Sequence, residues 1–584
     1  MTHLSNISGP ADLKRLTVDE MNALSGEIRE ALIKKLSQHG GHCGPNLGMV
    51  EAIIAMHYVF NSPEDKLVFD VSHQSYVHKM LTGRAAAFLD SSRYDDVSGY
   101  TEPTESAHDH FTIGHTSTSV SLASGLAKGR DLTGGHENVI AIIGDGSLSG
   151  GEAFEGLDYA AELGTNFIVV VNDNQMSIAE NHGGIYHNLE TLRNTKGKAE
   201  CNYFRAMGYD YIYVDRGNDI GELIKAFAEV KDTQRPVVVH INTLKGKGYT
   251  PAEQQQEAWH WHVPFDIESG ESLNAAPTDS YEARTASVLL EAMRADRRVA
   301  AITAGVPTAM GFTKDKREEA GAQFIDVGIA EEHAVALASG MAKAGGKPVF
   351  GVYSTFIQRA YDQISQDLCI NDNPATLLVF WGSLATMNDV THLCHFDIPL
   401  LCNIPNLVYL APTNWDEYHA MLKWSLDYTA HPVAIRVPVC APLPATRPVP
   451  TDFSDLNRYE VVSRGEKVAV IGLGNYFALG EEVCALLKDK GISATLINPR
   501  YISGMDTTLL DSLQEDHSLV VTLEDGVLAG GFGEKIARHY AMTPMRVMCK
   551  GAEKRFVDRY DLNALLSEYR LTPEMIAEDI IAAL

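Results

Sequence analysis

The sequence predicts an α/β fold of three doubly wound domains with mainly parallel sheets. Three observations carry that reading. Short apolar runs ending in Gly, Asp or Asn recur along the 584 residues, and runs without polar alternation are what strands buried on both faces require. Segments with helical spacing lie between them, the alternation that covers a parallel sheet on both sides. Two polar gaps bearing Gly and Pro then divide the chain into parts of ordinary domain size.

Taken in order, Val139 to Gly144, Phe167 to Val171 and Pro236 to Ile241 read as buried strands of a first unit, 1–268, with Val120 to Lys128 at helical spacing among them. The stretch from Ser269 to Asp279 (SGESLNAAPTD) has no period and reads as a linker. Ala300 to Thr303 is an early strand of a second unit, 280–440. The Pro-rich gap from Cys440 to Pro450 (CAPLPATRPVP) closes it, and Val468 to Ile471 and Leu519 to Leu523 are strands of a third unit, 451–584.

Hydrophobic residues make up 45% and charged residues 21%, the balance of a chain that folds throughout rather than a disordered one. With 48 basic against 76 acidic residues the formal charge is −28, which repels phosphate backbones and excludes nucleic acid as an expected partner. An anionic substrate must then be received by a local cation, so single arginines become informative. No apolar stretch approaches the roughly 18 residues that span a bilayer, so no membrane partner is expected. The start, MTHLSNISGP, has neither signal nor transit character. Eight cysteines without a close CxxC pair read as buried free thiols of a reducing compartment, and the expected location is the cytoplasm.

The strongest chemical signal is NVIAIIGDG, a strand running into Gly144-Asp145-Gly146, followed by NFIVVV running into Asn172-Asp173-Asn174. Doubly wound sheets bind ligands at the carboxyl ends of their strands. A hard divalent cation bridging a diphosphate takes oxygen ligands, here the Asp145 carboxylate, the Asn174 amide oxygen and the Met176 carbonyl, with Gly146 letting the backbone come close to the phosphates. GDG alone is an ordinary strand turn. GDG and NDN together, each after an apolar strand, match the thiamine-diphosphate signature.

The blocks GGHCGPNLGMVE, FDVSHQSYVHKMLTGR, GHTSTS, GDGSLSGGEAFEGLD, NDNQMSI, KGKGYTPAE, DVGIAEEHAVALASG, YSTFIQRAYDQI, THLCHFD and AIRVP are similar to those of the 1-deoxy-D-xylulose-5-phosphate synthase family, in the transketolase superfamily. The resemblance runs along almost the whole chain. It implies a transketolase-like fold with a diphosphate- and magnesium-binding domain at 1–268, an aminopyrimidine-binding domain at 280–440 and a C-terminal domain at 451–584. It also implies a homodimer using thiamine diphosphate and Mg2+, with pyruvate and an aldehyde or aldose phosphate as substrates, in isoprene and thiamine biosynthesis.

Carried over position by position, the resemblance puts the cofactor on His73, Gly114, His115, Thr116, Asp145, Gly146, Ser147, Asn174, Tyr249, Glu331 and Phe356. Glu331 is the carboxylate that hydrogen-bonds the aminopyrimidine and promotes its imino tautomer. Read without the family, Glu331 or Glu332 is a first-turn acid favoured by a helix dipole, and Phe356 is a core aromatic. The resemblance gives His42, His73, His260 and His392 to proton transfer near the reacting carbon. His262, two residues past His260, is an alternative to it, although the spacing to Phe265-Asp266 favours His260. Pairs such as His108/His110 and His392/His395 suggest zinc, but no Cys or acidic cluster completes such a site.

The departures lie at the acceptor. Where the family has an Asp-Arg-Ala-Gly segment whose arginine, with a second one in the AIRVP block, holds the aldehyde's phosphate, this chain has Phe380-Trp381-Gly382-Ser383. Tyr353, Arg359 and Arg436 remain as substrate-binding candidates beside Trp381 and Asn388, the last replacing an aspartate. Pro45 and Glu102-Pro103-Thr104 depart too, and the stretch between NDNQMSI and Tyr203 is shortened. Loss of one guanidinium from a two-arginine clamp weakens phosphate binding by about tenfold to a hundredfold. The expectation is retained cofactor chemistry with a rebuilt acceptor pocket. The alternatives are a transketolase-type ketol transfer, a 1-deoxyketose synthase with a less phosphate-dependent acceptor, and a silent binding paralogue. The last should have lost Glu331 or Asp145, and both are present.

Overall fold

The computed structural model describes residues 3–274 and 278–584. They fall into two compact units, Met1–Ala276 with Gly328–Ala330, and Pro277–Val327 with Glu331–Leu584.

The first unit is built on five strands, β1 (Lys66–Phe69), β2 (Val139–Gly144), β3 (Phe167–Asp173), β4 (Asp210–Val214) and β5 (Pro236–Asn242), in the order β1-β2-β3-β5-β4. All four pairings are parallel. Val- and Ile-rich runs form the central strands because helices cover both faces, and every residue of β3 is buried. Thr17 opens the long helix Val18–His39 with a capping box to Glu20. Between β1 and β2, Ser119–Thr133 forms the helix whose spacing was legible as Val120 to Lys128. The strands read from the sequence, β2, β3 and β5, are present. β1 and β4 carry too short or too exposed an apolar run to be read that way.

The second unit holds two sheets. One comprises β6 (Val299–Thr303), β7 (Phe324–Asp326), β8 (Lys347–Tyr353), β9 (Thr376–Phe380), β10 (Val408–Leu410) and β11 (Val433–Arg436), all parallel, in the order β10-β11-β9-β8-β6-β7. The other comprises β12 (Glu460–Ser463), β13 (Lys467–Gly472), β14 (Thr495–Asn498), β15 (His517–Val527) and β16 (Arg546–Ala552), in the order β12-β14-β13-β15-β16. Its edge strand β12 runs antiparallel to β14 and the rest are parallel. One apolar cluster runs through both sheets, joining Ile302 and Val379 to Ile471 and Val520.

Part of the expected linker, residues 275–277, lies outside the described residues. The eight cysteines form no disulfide, but the expectation that they are buried holds for Cys43, Cys369, Cys394 and Cys402 and fails for Cys201 and Cys440, which are exposed. Cys440 begins the Pro-rich gap and Cys201 lies just before a short surface helix, so neither apolar run continues into a core. Among the described residues no helix is long and apolar enough to cross a membrane.

Histidines tie the first unit together. His57 Nε2 meets His78 Nδ1 at 2.8 Å, and His78 Nε2 meets the Asp109 carboxylate at 2.9 Å. Burial pushes the Asp109 pKa up, but Arg84 and His78 pull it further down, to below the usual carboxylate range. Burial drives His108 and His110, and His395 in the second unit, down to about 4. These three bind protons less readily folded than unfolded, where the ordinary value is about 6.5. The stability they provide is therefore whole above about pH 6.5 and is lost as pH falls toward 4. Urea midpoints should decline steadily across that window, and a flat profile would contradict the neutral buried rings.

Candidate active site

In the first unit the site grows from the carboxyl ends of neighbouring strands. β2 and β3 pair Gly144 with Asn172, which brings Asp145 and Asp173 side by side just beyond. The two carboxylates live differently. Asp173 is satisfied by Arg193 at 2.6 Å and by His240 at 2.9 Å. Asp145 is buried and accepts a 2.7 Å hydrogen bond from the Asn181 amide. Burial, and then the Asp173 charge, push its pKa far above the carboxylate range.

Around Asp145 the backbone is drawn tight. A Cβ at Gly146 would lie 2.6 Å from Ser177 Cβ, so only glycine fits. The Tyr186 hydroxyl donates to the carbonyls of Asp145 and Gly146, each at 3.2 Å. Asn174 Oδ1 accepts from the Met176 N–H at 3.2 Å, and an amide oxygen keeps a second lone pair. Lys245, buried, donates to the Ser177 carbonyl at 2.6 Å, and burial lowers its pKa to about 8.

The Gly114-His115-Thr116 turn is anchored from β1. Asp70 accepts the N–H groups of Ser117 and Ser119 at 2.8 and 3.0 Å, and Ser117 Oγ donates to the Ser147 carbonyl at 2.9 Å. Ser147 is thereby stitched to the turn.

Three imidazoles cluster. His42 and His73 have ring centroids 4.8 Å apart, and His260 lies 5.7 and 5.1 Å from them. Asn46, fully buried, sets two of them by donating to the carbonyls of both His42 and His73 at 2.8 Å. His260 joins the cluster, whereas His262 stacks on Trp259 at 4.1 Å and is held by the Val263 carbonyl. Burial, with Lys245 adding to it, depresses the His260 pKa well below its ordinary value. Tyr249 packs on Trp259 and Phe265, and its hydroxyl donates to the Ile267 carbonyl at 3.0 Å.

Asn46, Asp70, Asn181 and Lys245 were not singled out from the sequence. Asn46, Asp70 and Lys245 lie inside the quoted blocks, as GPN, FD at a strand end and KGKGY. Asn181 follows NDNQMSI outside any block.

In the second unit Glu331 begins the helix Glu331–Lys343 and is buried, while Glu332 is partly exposed. Burial raises the Glu331 pKa, against the pull of the Arg359 guanidinium 3.4 Å away. Phe356 meets His392 edge-on at 5.7 Å, and His392 Nδ1 lies 2.8 Å from Thr391 Oγ1. Tyr353 stacks on Trp381 at 4.4 Å. Asn388 is turned to the C-terminal stretch, donating to the Tyr560 carbonyl at 3.1 Å.

Arg436, at the end of β11, is 2% exposed. Its guanidinium is paired with Asp397 at 2.7 Å and with Asp525, which also takes the Asn475 amide. A buried arginine between two carboxylates is committed to them.

The first-unit residues suit a diphosphate with a hard cation. Asp145 is a buried carboxylate that a cation would relieve, and Asn174 adds a neutral oxygen. Gly146 forms a cradle that a Cβ would fill. Asn181 Oδ1 and His260 Nδ1 are buried without a hydrogen-bond partner among the described residues.

Comparison with known proteins places the chain in a family. Residues 4–203 match the family model described as 1-deoxy-D-xylulose-5-phosphate synthase. Residues 280–440 match that of the transketolase pyrimidine binding domain, and 457–576 that of the transketolase C-terminal domain. A protein of Symbiobacterium thermophilum named 1-deoxy-D-xylulose-5-phosphate synthase is 39% identical, over 99% of this chain and 94% of its own. One of the same name from Shouchella clausii is 37% identical, over 100% and 99%.

Proposed function

Because the chain belongs to the 1-deoxy-D-xylulose-5-phosphate synthase family, and is a thiamine-diphosphate-dependent transferase of that type, we propose the following reaction. It decarboxylates pyruvate and joins the remaining two-carbon unit to glyceraldehyde 3-phosphate or a related aldose. When bound, the cofactor supplies the carbanion that attacks the keto group and accepts the electrons released with carbon dioxide. The observation that carries this reading is the buried Asp145 between Gly146 and Asn174, an oxygen site for Mg2+ at the ends of adjacent strands.

The chain's own residues take these roles. Asp145, Asn174 and the Met176 carbonyl hold the metal. Gly114, His115, Thr116, Gly146, Ser147 and Tyr249 surround the diphosphate half, with Lys245 as a buried ammonium facing the same charge. Glu331 exchanges a proton with the aminopyrimidine, and Phe356 covers that ring. His42, His73, His260 and His392 hold and move protons at the substrate oxygens, as ring nitrogens that both donate and accept.

The three-domain division at 1–268, 280–440 and 451–584, a cytoplasmic location and a place in isoprenoid synthesis belong to the same reading. So does a homodimer, which the exposed Phe154 and Tyr159 of the helix Gly151–Ala161 favour. The test is carbon dioxide release from pyruvate by the purified protein with thiamine diphosphate and Mg2+. Release that requires pyruvate, cofactor and an aldehyde is the expected result. Ketol transfer between sugars without carbon dioxide would replace this function by a transketolase activity.

A further inference from the structure

Beside the Asp145 turn, three polar side chains on β3, β5 and β4 form a row to which no role has yet been given. His240 of β5 lies opposite Val171 of β3 and Tyr213 of β4. Side chains alternate between the faces of a strand, so Asp173, two residues past Val171, and Tyr211, two before Tyr213, share the face of His240. They meet there. His240 Nε2 lies 2.9 Å from Asp173 Oδ2, and its Nδ1 lies 2.8 Å from the Tyr211 hydroxyl. A carboxylate only accepts, so Nε2 carries the proton of the first bond, and in the neutral ring Nδ1 accepts from the tyrosine.

The row is enclosed. His240 and Asp173 are fully buried and Tyr211 is nearly so. The rings of Tyr213 and Phe204 stand 5.1 and 6.4 Å from the imidazole and hold it in place. Asp173 Oδ2 also takes Arg193 at 2.6 Å, while Oδ1 accepts the Gln175 N–H at 3.3 Å. Gln175 has φ +68°, a left-handed conformation that a residue with a side chain keeps only where its surroundings over-determine it. The next N–H, that of Met176, donates to Asn174 Oδ1. Asp173 therefore pins the strained turn from Asn174 to Met176, and His240 aims the Asp173 carboxylate.

We propose, resting on the metal site assigned above, that His240 is a positioning residue for Mg2+. Held by Tyr211, it fixes Asp173 and, through Asp173, the turn that presents the Asn174 amide oxygen and the Met176 carbonyl. Residues that orient metal ligands in this way contribute about 10- to 100-fold to affinity.

The test is calorimetric titration of the full-length protein with Mg2+ in the presence of excess thiamine diphosphate, beside melting curves and the Mg2+ dependence of carbon dioxide release. In H240F the metal affinity should fall by about tenfold to a hundredfold, and the loss should appear in the Mg2+ concentration for half-maximal rate rather than in the maximal rate. H240Q, whose amide nitrogen can take the place of Nε2, should recover most of that affinity. Y211F removes one hydrogen bond at the far end of the row and should lose about two- to tenfold. A role in packing alone would lower the melting temperature and leave the affinity of the folded protein unmoved. Wild-type Mg2+ affinity in a folded H240F therefore overturns the inference, as does an H240Q no better than H240F. Should H240F not fold, unchanged affinity in Y211F overturns it instead. A wild-type protein that binds thiamine diphosphate equally well without Mg2+ removes the metal site itself and the inference with it.

Discussion

Replacing Glu331 by glutamine is expected to lower the rate of carbon dioxide release by about 10²- to 10⁴-fold, the contribution of a positioned proton-transfer group. The carboxylate begins the helix Glu331–Lys343, where the helix dipole alone would favour its ionised form. Burial opposes this and raises its pKa, while Arg359, 3.4 Å away, limits the rise. A carboxyl raised by burial and steadied by a neighbouring guanidinium takes up a proton more readily than an exposed glutamate. Glutamine keeps the shape and removes that ability, so cofactor affinity should change far less than rate. Glu332, partly exposed one residue on, is the control, and E332Q should stay close to wild type. Initial rates at saturating cofactor decide the matter: E331Q activity above about a tenth of wild type would take Glu331 out of proton transfer.

Replacing Asp145 by asparagine should act in two opposite directions. Cofactor and metal affinity should fall by about a hundredfold or more, at least the loss seen when a supporting residue of a metal site is changed. The protein without metal should become no less stable, and its melting temperature should hold or rise. The reason is the burial of Asp145 beside Asp173, an arrangement that costs stability until a cation compensates it. Asn181 already donates to Asp145 Oδ2 at 2.7 Å, and asparagine can present its carbonyl oxygen to the same amide. Calorimetric titration of thiamine diphosphate with Mg2+ and melting curves with and without both ligands give the two readouts. Wild-type affinity in D145N would exclude Asp145 as the metal ligand.

The histidines show where reading along the chain stops. His42, His73 and His260 lie in separate blocks, and nothing in their spacing states that their rings meet within 4.8 to 5.7 Å. His260 and His262 are nearly indistinguishable in AWHWHVPFD. They part in the fold because His262 stacks on Trp259 while His260 turns to the other two rings. The supporting groups Asn46 and Asp70 act through backbone N–H and C=O groups distant in sequence, so no side-chain pattern announces them.

Arg436 makes the same point at the acceptor. Its place in AIRVP suggested a hand for phosphate, but Asp397 lies 39 residues before it and Asp525 89 residues after it, and only the packing of β11 with those segments brings them to the guanidinium. Trp381 was legible as a departure; its stacking on Tyr353 and its bond to Glu282 were not.

The sequence by itself determined the α/β class, the parallel strands β2, β3, β5, β6, β13 and β15, and the GDG and NDN turns, because unbroken apolar runs and the residues that end them are local properties. Tertiary structure alone decided which charges are spent and which remain. An ion pair, a buried carboxylate or a ring stack depends on what distant segments bring within about 4 Å, and burial sets how strongly each charge is felt.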